Sequence, residues 1–397
     1  MSLSSNTDLR PKAASAWSLL MHELGPRFAE RAGVHDANDS FVAENFAELK
    51  ARGIFAAGVP KELGGGGASY PELCDMLRTL AHYCGSTALA LSMHTHVVAT
   101  ALWRWQRDPQ SSERLLRRVA EENLVVVTSG GSDWLTASGT AERVAGGWRI
   151  NGRKIFASGI PAGDLLMTQA VCDDPKAGPT VLHFTIPVMD PGVTPQDSWY
   201  VLGMRGTGSP DVIISDVFVP DSGVLLRRPA GKLSAPFHLS PGMIPLPLVH
   251  AVYLGVAEAP YDTALAIARK RLDDHGLPYL IGEMQNDLAS ARMAYRDMVE
   301  TANTGEPGLE TTNRIWIGRT LVGRAAIRVV EKAMEVGGAG SFYRTSPLER
   351  LFRDIQGARF HRPQERSQLR FSGRLALGLD VDEYRQFAIQ FVEDDVG

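Results

Sequence analysis

Two long runs, residues 79–103 and 233–257, contain no Lys, Arg, Asp or Glu. Each is long enough to cross a bilayer, so the chain must either place them in a membrane or bury them as helices away from water. Their polar content decides between these. The first carries His82, Ser86, Ser92, His94 and His96, and the second carries His238 and His250 with Pro241, Pro245 and Pro247. Spanning helices rarely hold so many ionisable and helix-breaking residues. The runs therefore read as buried helices of a large all-α core, with no membrane span.

A chain of 397 residues has room for such a core and for two or three domains. With 41 basic against 45 acidic side chains the net charge is −4, which argues against a nucleic-acid binder, and 44% hydrophobic content argues against disorder. Cys74, Cys84 and Cys172 form no CxxC pair, so neither a disulfide framework nor a cysteine zinc site is available. A reduced, cytoplasmic setting fits that usage, and the first residues lack the basic, apolar, small-residue order of a secretory signal.

Periodicity divides the chain. Val42, Phe46 and Leu49, then Leu73, Leu77 and Leu80, recur at helical spacing around the glycine-rich loop at 53–67. From residue 124 the period shortens: 124–128 is β-branched, Gly146-Gly147 signals a hairpin into 149–157, and 181–186 and 212–219 end at Pro187 and Pro220. Short strands without intervening helices predict an antiparallel barrel or sandwich. Helical spacing then returns in Ile281, Met284, Leu288, Ala291, Tyr295 and Met298, and in Val322, Ala326, Val330 and Ala333 before Gly337-Gly338. The expected organisation is an α+β multidomain chain: a helical domain at 1–123, a β-barrel at 124–228 and a helical bundle at 229–397. No GxGxxG follows a strand, and GxxxxGK[ST], GxSxG and HExxH are absent, so any chemistry points to a less common cofactor site between domains.

Three segments in order, Gly58-Val-Pro-Lys-Glu-Leu-Gly-Gly-Gly-Gly67, Leu202-Gly-Met-Arg-Gly-Thr-Gly-Ser-Pro-Asp211 and Gly337-Gly-Ala-Gly-Ser-Phe-Tyr-Arg344 running on to Arg353-Asp354, resemble the acyl-CoA dehydrogenase superfamily over nearly the whole chain. The resemblance implies that fold, with an N-terminal helical domain, a middle antiparallel β-barrel and a C-terminal four-helix bundle, in a homotetramer. It implies a flavin, FAD or FMN, between the barrel and the bundle. Val127 and Thr128 would lie along the isoalloxazine edge, Ser132 near flavin and substrate, Phe156 against the ring and Ser158 as a donor to it. Arg269, Gly337 and Gly338 match positions that hold pyrophosphate and adenosine, partly across a subunit boundary. By residue type alone, Phe156 in an alternating strand reads as core and Arg269-Lys-Arg271 as a solvated helix end.

Dehydrogenation of an acyl thioester needs a carboxylate to remove the α-proton. At the position where most of the family places that glutamate this chain reads His361-Arg362-Pro363, and the earlier helix that supplies it in some relatives, here residues 243–249, has no acid. Pro363 disfavours helix at Arg362, so a break is expected there. Arg-Asp followed at this spacing by His is similar to the superfamily's flavin-dependent monooxygenase branch, of which dibenzothiophene monooxygenase is an example. There reduced flavin meets dioxygen, and imidazole and hydroxyl donors in a dry pocket assist oxygen transfer. Ser158, His361 and one of His94 and His96, with His94 the first choice, are the expected catalytic set. Two residues apart on a helix, the two histidines face different sides, and either also reads as a satisfied core polar group. The alternatives are an acyl-CoA dehydrogenase using Glu365 as a displaced base, and a non-catalytic scaffold. The implied partners are a small apolar or acyl-CoA substrate and a separate flavin reductase or electron-transfer protein, with no metal and no nucleic acid.

Overall fold

The computed structural model describes residues 15–129, 135–240 and 242–382. The chain opens with helices α1 (Ala16–Ala37), α2 (Ala43–Ala51), α3 (Tyr70–Tyr83), α4 (Gly85–Trp105) and α5 (Glu113–Glu121). The Ser15 side chain caps α1 by accepting the Ser18 amide, and a Ser69/Glu72 capping box starts α3, each satisfying amides the first turn leaves free. The first charge-free run is not one helix: the backbone turns extended at Cys84 (φ −146°, ψ 99°), which separates α3 from α4. The second is likewise divided between α6 (Ala235–Leu239) and α7 (Pro245–Ala268). No described helix is long and apolar enough to cross a membrane.

The two runs lie against each other. Arg78 precedes the first and Glu258 follows the second, and the Arg78 Nε donates to Glu258 Oε2 at 2.8 Å while Arg292 Nε donates to Oε1 at 2.8 Å. Burial would raise the Glu258 carboxyl, but the two guanidiniums outweigh it and hold the acid below its ordinary value. At Gly255 a Cβ would sit 2.2 Å from the Arg78 carbonyl oxygen, so the close approach of α7 to α3 requires glycine.

Strands β1 (Val126–Thr128), β2 (Thr140–Val144), β3 (Gly147–Lys154), β4 (Leu165–Asp174), β5 (Gly178–Pro187), β6 (Val193–Pro195), β7 (Val212–Pro220) and β8 (Val224–Pro229) form one sheet. Its order is β6-β7-β3-β2-β4-β5-β8, with β1 beside β4. The expected hairpin is present as β2–β3, pairing Val144 with Gly147 around Gly146 at φ 77°. The expected purely antiparallel barrel is corrected: β1 and β2 both run parallel to β4, and the sheet is mixed and open among the described residues. The cause is connection, because β1 is fed from α5 and reaches β4 across the intervening β2–β3 hairpin, which leaves it pointing the same way. Phe156 also lies beyond the end of β3 rather than within a strand.

In the C-terminal helical region α7 packs with α8 (Leu277–Thr304) and α9 (Leu309–Gly337), followed by α10 (Pro347–Ile355), α11 (Gly357–Phe360) and α12 (Glu365–Ala376). Met284, Leu288, Ala291, Tyr295 and Met298 of α8, and Val322, Ala326, Val330 and Ala333 of α9, are buried as their spacing predicts. Helix stops at Phe360 and resumes at Glu365, so the break around Pro363 is real. Two of the three segments that carry the sequence resemblance touch one another: Asp354 Oδ1 accepts the Met204 amide at 2.5 Å, Arg353 donates to the Leu202 carbonyl, and a Cβ on Gly203 would lie 2.2 Å from the Arg353 carbonyl oxygen. Arg353 also clamps α10 to α1 through Asp36 at 2.6 Å.

Candidate active site

Where the sheet meets α4, α7 and the 353–364 segment, the fold encloses a cavity of about 540 Å³. That volume is within the range of small-molecule pockets. Leu89 and Met93 of α4 and Leu246 and Val249 of α7 supply an apolar wall, which is where the inward faces of the two uncharged runs end up. Among the described residues no Asp or Glu lines it.

Phe156 projects into this space. Its ring is 51% exposed and meets the edge of Trp199 at 5.9 Å, and its backbone is left-handed at φ 58°, a conformation that costs a non-glycine residue energy. Ser158 lies two residues on. Ser209 gives its one proton to Ser158 Oγ at 2.8 Å, and its own oxygen lies 2.7 Å from Thr207 Oγ1, so Thr207 is the donor to Ser209. The Ser158 proton is thereby left for the cavity. Thr128 and Ser129 close the same side at the end of β1.

His361, which follows α11, lines the same cavity. Its amide donates to the Gly357 carbonyl at 3.2 Å and its carbonyl accepts Arg319 Nη2 at 2.6 Å, while Nδ1 lies 2.5 Å from the Tyr253 hydroxyl. Burial, and secondarily Arg319, pulls the imidazole down to about 4, so it is neutral at physiological pH. His96 lines the cavity and is also pulled to about 4, by burial first and then by His94.

Several expected site residues are elsewhere. His94 is 2% exposed and does not line the cavity: its Nε2 bonds the Phe55 carbonyl at 2.7 Å and its Nδ1 accepts the Val126 amide at 3.0 Å. With both nitrogens used it ties α4 to β1, which corrects its expected catalytic place. Glu365 does not line the cavity either; its carboxylate is ion-paired with Arg324, which holds it below its ordinary value. The displaced-base expectation is corrected accordingly. The Val127 side chain is buried in the core, against the backbone of Gly159 and Gly163, and does not line the cavity, whereas its neighbour Thr128 does. Arg269, Gly337 and Gly338 also stand away from the cavity, but near one another: Arg271 donates to the Val336 carbonyl at 3.2 Å, which brings the turn after α7 beside the end of α9, where Gly338 has φ 61°. Ser132 lies outside the described residues.

Residue-type reasoning missed Tyr253, Arg319, Trp199 and a polar group on the sheet side, where Arg228 Nε bonds His183 Nε2 at 2.9 Å beside Gln169. Arg319 left a signal: it falls three residues from both Trp316 and Val322, a guanidinium on a buried stripe. Tyr253 left none, since it sits in an uncharged run that reads as core throughout.

Family models for the acyl-CoA dehydrogenase N-terminal and C-terminal domains match residues 15–123 and 248–365. The chain belongs to the acyl-CoA dehydrogenase family. It is 27% identical to a putative acyl-CoA dehydrogenase, YdbM, of Bacillus subtilis, over 87% of this chain and 92% of that protein. It is 29% identical to dibenzothiophene monooxygenase of Mycolicibacterium goodii, over 86% and 89% of the two chains. Among solved structures, KijD3 in complex with FMN and a dTDP-linked amino-keto sugar superposes with a TM-score of 0.84 at 26% identity, covering 95% of this chain and 98% of that one.

This family member is a flavin-dependent oxidoreductase, and FAD or FMN is the cofactor that fits. The residues present suit an isoalloxazine: a half-exposed aromatic ring held in a strained backbone, hydroxyls at Thr128 and Ser158, and an apolar enclosure.

Proposed function

We propose that the chain is a flavin-dependent monooxygenase acting on an apolar small molecule. The observation that carries the reading is His361: a neutral imidazole faces the cavity where a dehydrogenase of this family needs a carboxylate, and the nearby acid, Glu365, is held by Arg324. A carboxylate takes a proton; this pair of groups, Ser158 and neutral His361, presents donors or weak bases instead. The cavity itself disfavours a scaffold without chemistry.

When bound, reduced flavin would supply the electrons that let dioxygen be split between water and an oxygenated product. The chain's own residues divide the remaining tasks. Phe156, with Val127 and Thr128, orients the ring; Ser158 donates to its polar edge; His361 and His96 hold or give protons on the far side. Leu89, Met93, Leu246 and Val249 exclude water, which would otherwise divert the reaction to peroxide. Ser132 belongs to the same set by position in the chain.

Arg269, Gly337 and Gly338 serve a neighbouring subunit's cofactor in a homotetramer built on the four-helix bundle, with 1–123, 124–228 and 229–397 as the domain division. Their separation from this chain's cavity supports that sharing. A separate reductase delivers the reduced flavin, and the free thiols of Cys74, Cys84 and Cys172 suit a cytoplasmic setting.

The test has two arms. Reduced FMN with dioxygen and an aromatic heterocycle such as indole should yield an oxygenated product, and His361→Asn should shift output to hydrogen peroxide while Glu365→Gln leaves the product yield within about twofold. Anaerobic bleaching of the oxidised holoenzyme by an acyl-CoA thioester, abolished in Glu365→Gln, would instead make it a dehydrogenase.

A further inference from the structure

Resting on that reading of the site, we propose that Tyr253 is a positioning residue, whose phenol donates to His361 Nδ1 and so fixes the imidazole as the tautomer that carries its proton on Nε2, toward the cavity. The assignment follows from counting protons. Tyr253 is 0% exposed, and among the described residues its hydroxyl has one hydrogen-bond partner, His361 Nδ1, at 2.5 Å. If His361 donated to the phenol from Nδ1, the phenolic proton would have no acceptor among the described residues and only the cavity to face, at a cost of up to about 1–3 kcal/mol where no ligand or water accepts it. If the phenol donates, both groups are satisfied. Burial keeps that phenol protonated by pushing its ionisation well above the ordinary tyrosine value.

The backbone that carries the imidazole is held on both sides. Its residue is anchored at the amide by Gly357 and at the carbonyl by Arg319, and the rings of Tyr253 and His361 stand 5.6 Å apart at 64°. A Cβ at position 357 would lie 2.9 Å from the Tyr253 hydroxyl, so the glycine there keeps the path between phenol and imidazole open. The outcome is a site that presents N–H where the dehydrogenases of the family present a carboxylate oxygen. A donor so placed can hold an oxygen atom of a ligand but cannot take an α-proton in the resting state.

The groups facing His361 are Arg319 from α9, His96 from α4, and His250 and Tyr253 from α7; all oppose a second proton or are neutral. Loss of the Tyr253 donor removes the bond that specifically favours the neutral imidazole.

The experiment is long-range proton–nitrogen correlation on the full-length, histidine-labelled chain with and without FMN, His361 being assigned by the signals missing in His361→Asn. In the wild type at pH 7 the expected form is neutral, with the proton on Nε2 and a hydrogen-bonded Nδ1, and no titration down to pH 5. In Tyr253→Phe the Nδ1 signal should move to its unbonded position and the protonation midpoint should rise by about one unit. A wild-type proton on Nδ1 overturns the proposal, as does a Tyr253→Phe spectrum and titration unchanged from wild type. Should Tyr253→Phe fail to fold, the wild-type tautomer alone decides. Failure of oxygen transfer with the expected tautomer would sink the monooxygenase reading and leave this one standing.

Discussion

His94 makes the fold acid-sensitive, and the size of the effect can be worked from its contacts. In the folded chain Nε2 donates to the Phe55 carbonyl and Nδ1 accepts from the Val126 amide, so a second proton must go on Nδ1 and displace a strand amide. Burial accordingly pulls the imidazole down to about 4, from an ordinary 6.5 in the unfolded chain. Because the folded value is the lower one, the unfolded chain binds the proton first. The His94 contribution is whole above pH 6.5 and is lost as pH falls from 6.5 toward 4. At 1.36 kcal/mol per unit, lowering the pH from 7.5 to 4.5 should remove roughly 2–3 kcal/mol through this one residue. The assay is urea unfolding of wild type and His94→Gln at both pH values, with hydrogen exchange at the Val126 amide as the local probe. Glutamine has no such proton to gain, so the variant should be less stable at pH 7.5 and close or reverse the gap at pH 4.5. A wild-type advantage that stays constant within about 0.5 kcal/mol over that range would refute the assigned contacts.

Three other perturbations have clear directions. Gly255→Ala forces a methyl into the Arg78 carbonyl and should destabilise by about 1–3 kcal/mol, read as a lower urea midpoint, with the α3–α7 pair as the first exchange-labile region. Phe156→Gly should act in opposite directions on fold and function: it relieves the left-handed strain at φ 58° and raises the melting temperature, yet weakens FMN binding in a fluorescence titration. Ser209→Ala removes the donor to Ser158, worth about 1 kcal/mol, and should weaken FMN binding roughly fivefold, while an unchanged affinity would mean that Ser158 does not face the flavin.

Some of this was legible in the residues and some was not, for physical reasons. The order of helices, strands and helices follows from spacing, and the second and third family segments are visible because they bond one another: Gly203 fits under Arg353 and Asp354 caps the Met204 amide, so their residue types are fixed by contact. The parallel entry of β1 could not be read, since strand direction depends on where α5 delivers the chain. The pair His94 and His96 showed the same limit. Helical spacing puts them on different sides, and it is the docking of α4 on β1 that turns His94 to the core and His96 to the cavity. Glu365 looked available in sequence because its partner, Arg324, sits 41 residues earlier on another helix.

That last contact also explains how the same fold can change chemistry at little structural cost. The bonds that hold the 353–365 segment in place are made by Arg353 to Asp36, by Asp354 to Met204, by Arg319 to the Ala358 and His361 carbonyls, and by Glu365 to Arg324. Each uses a main-chain group of the segment or the side chain of Arg353, Asp354 or Glu365, and none requires a particular side chain at 361 or 362. The helix break at Pro363 adds to this freedom, because the helical bonds made at its two edges, the His361 amide to the Gly357 carbonyl and the Gln368 amide to the Gln364 carbonyl, are main-chain bonds that set no side-chain type. An imidazole can therefore stand where a carboxylate stands in dehydrogenases without disturbing a structural bond, provided a phenol is within reach of its inner nitrogen. On the proposed reading, the determinant of reaction type is a two-residue unit, His361 with Tyr253, set into a segment whose anchoring bonds do not depend on it.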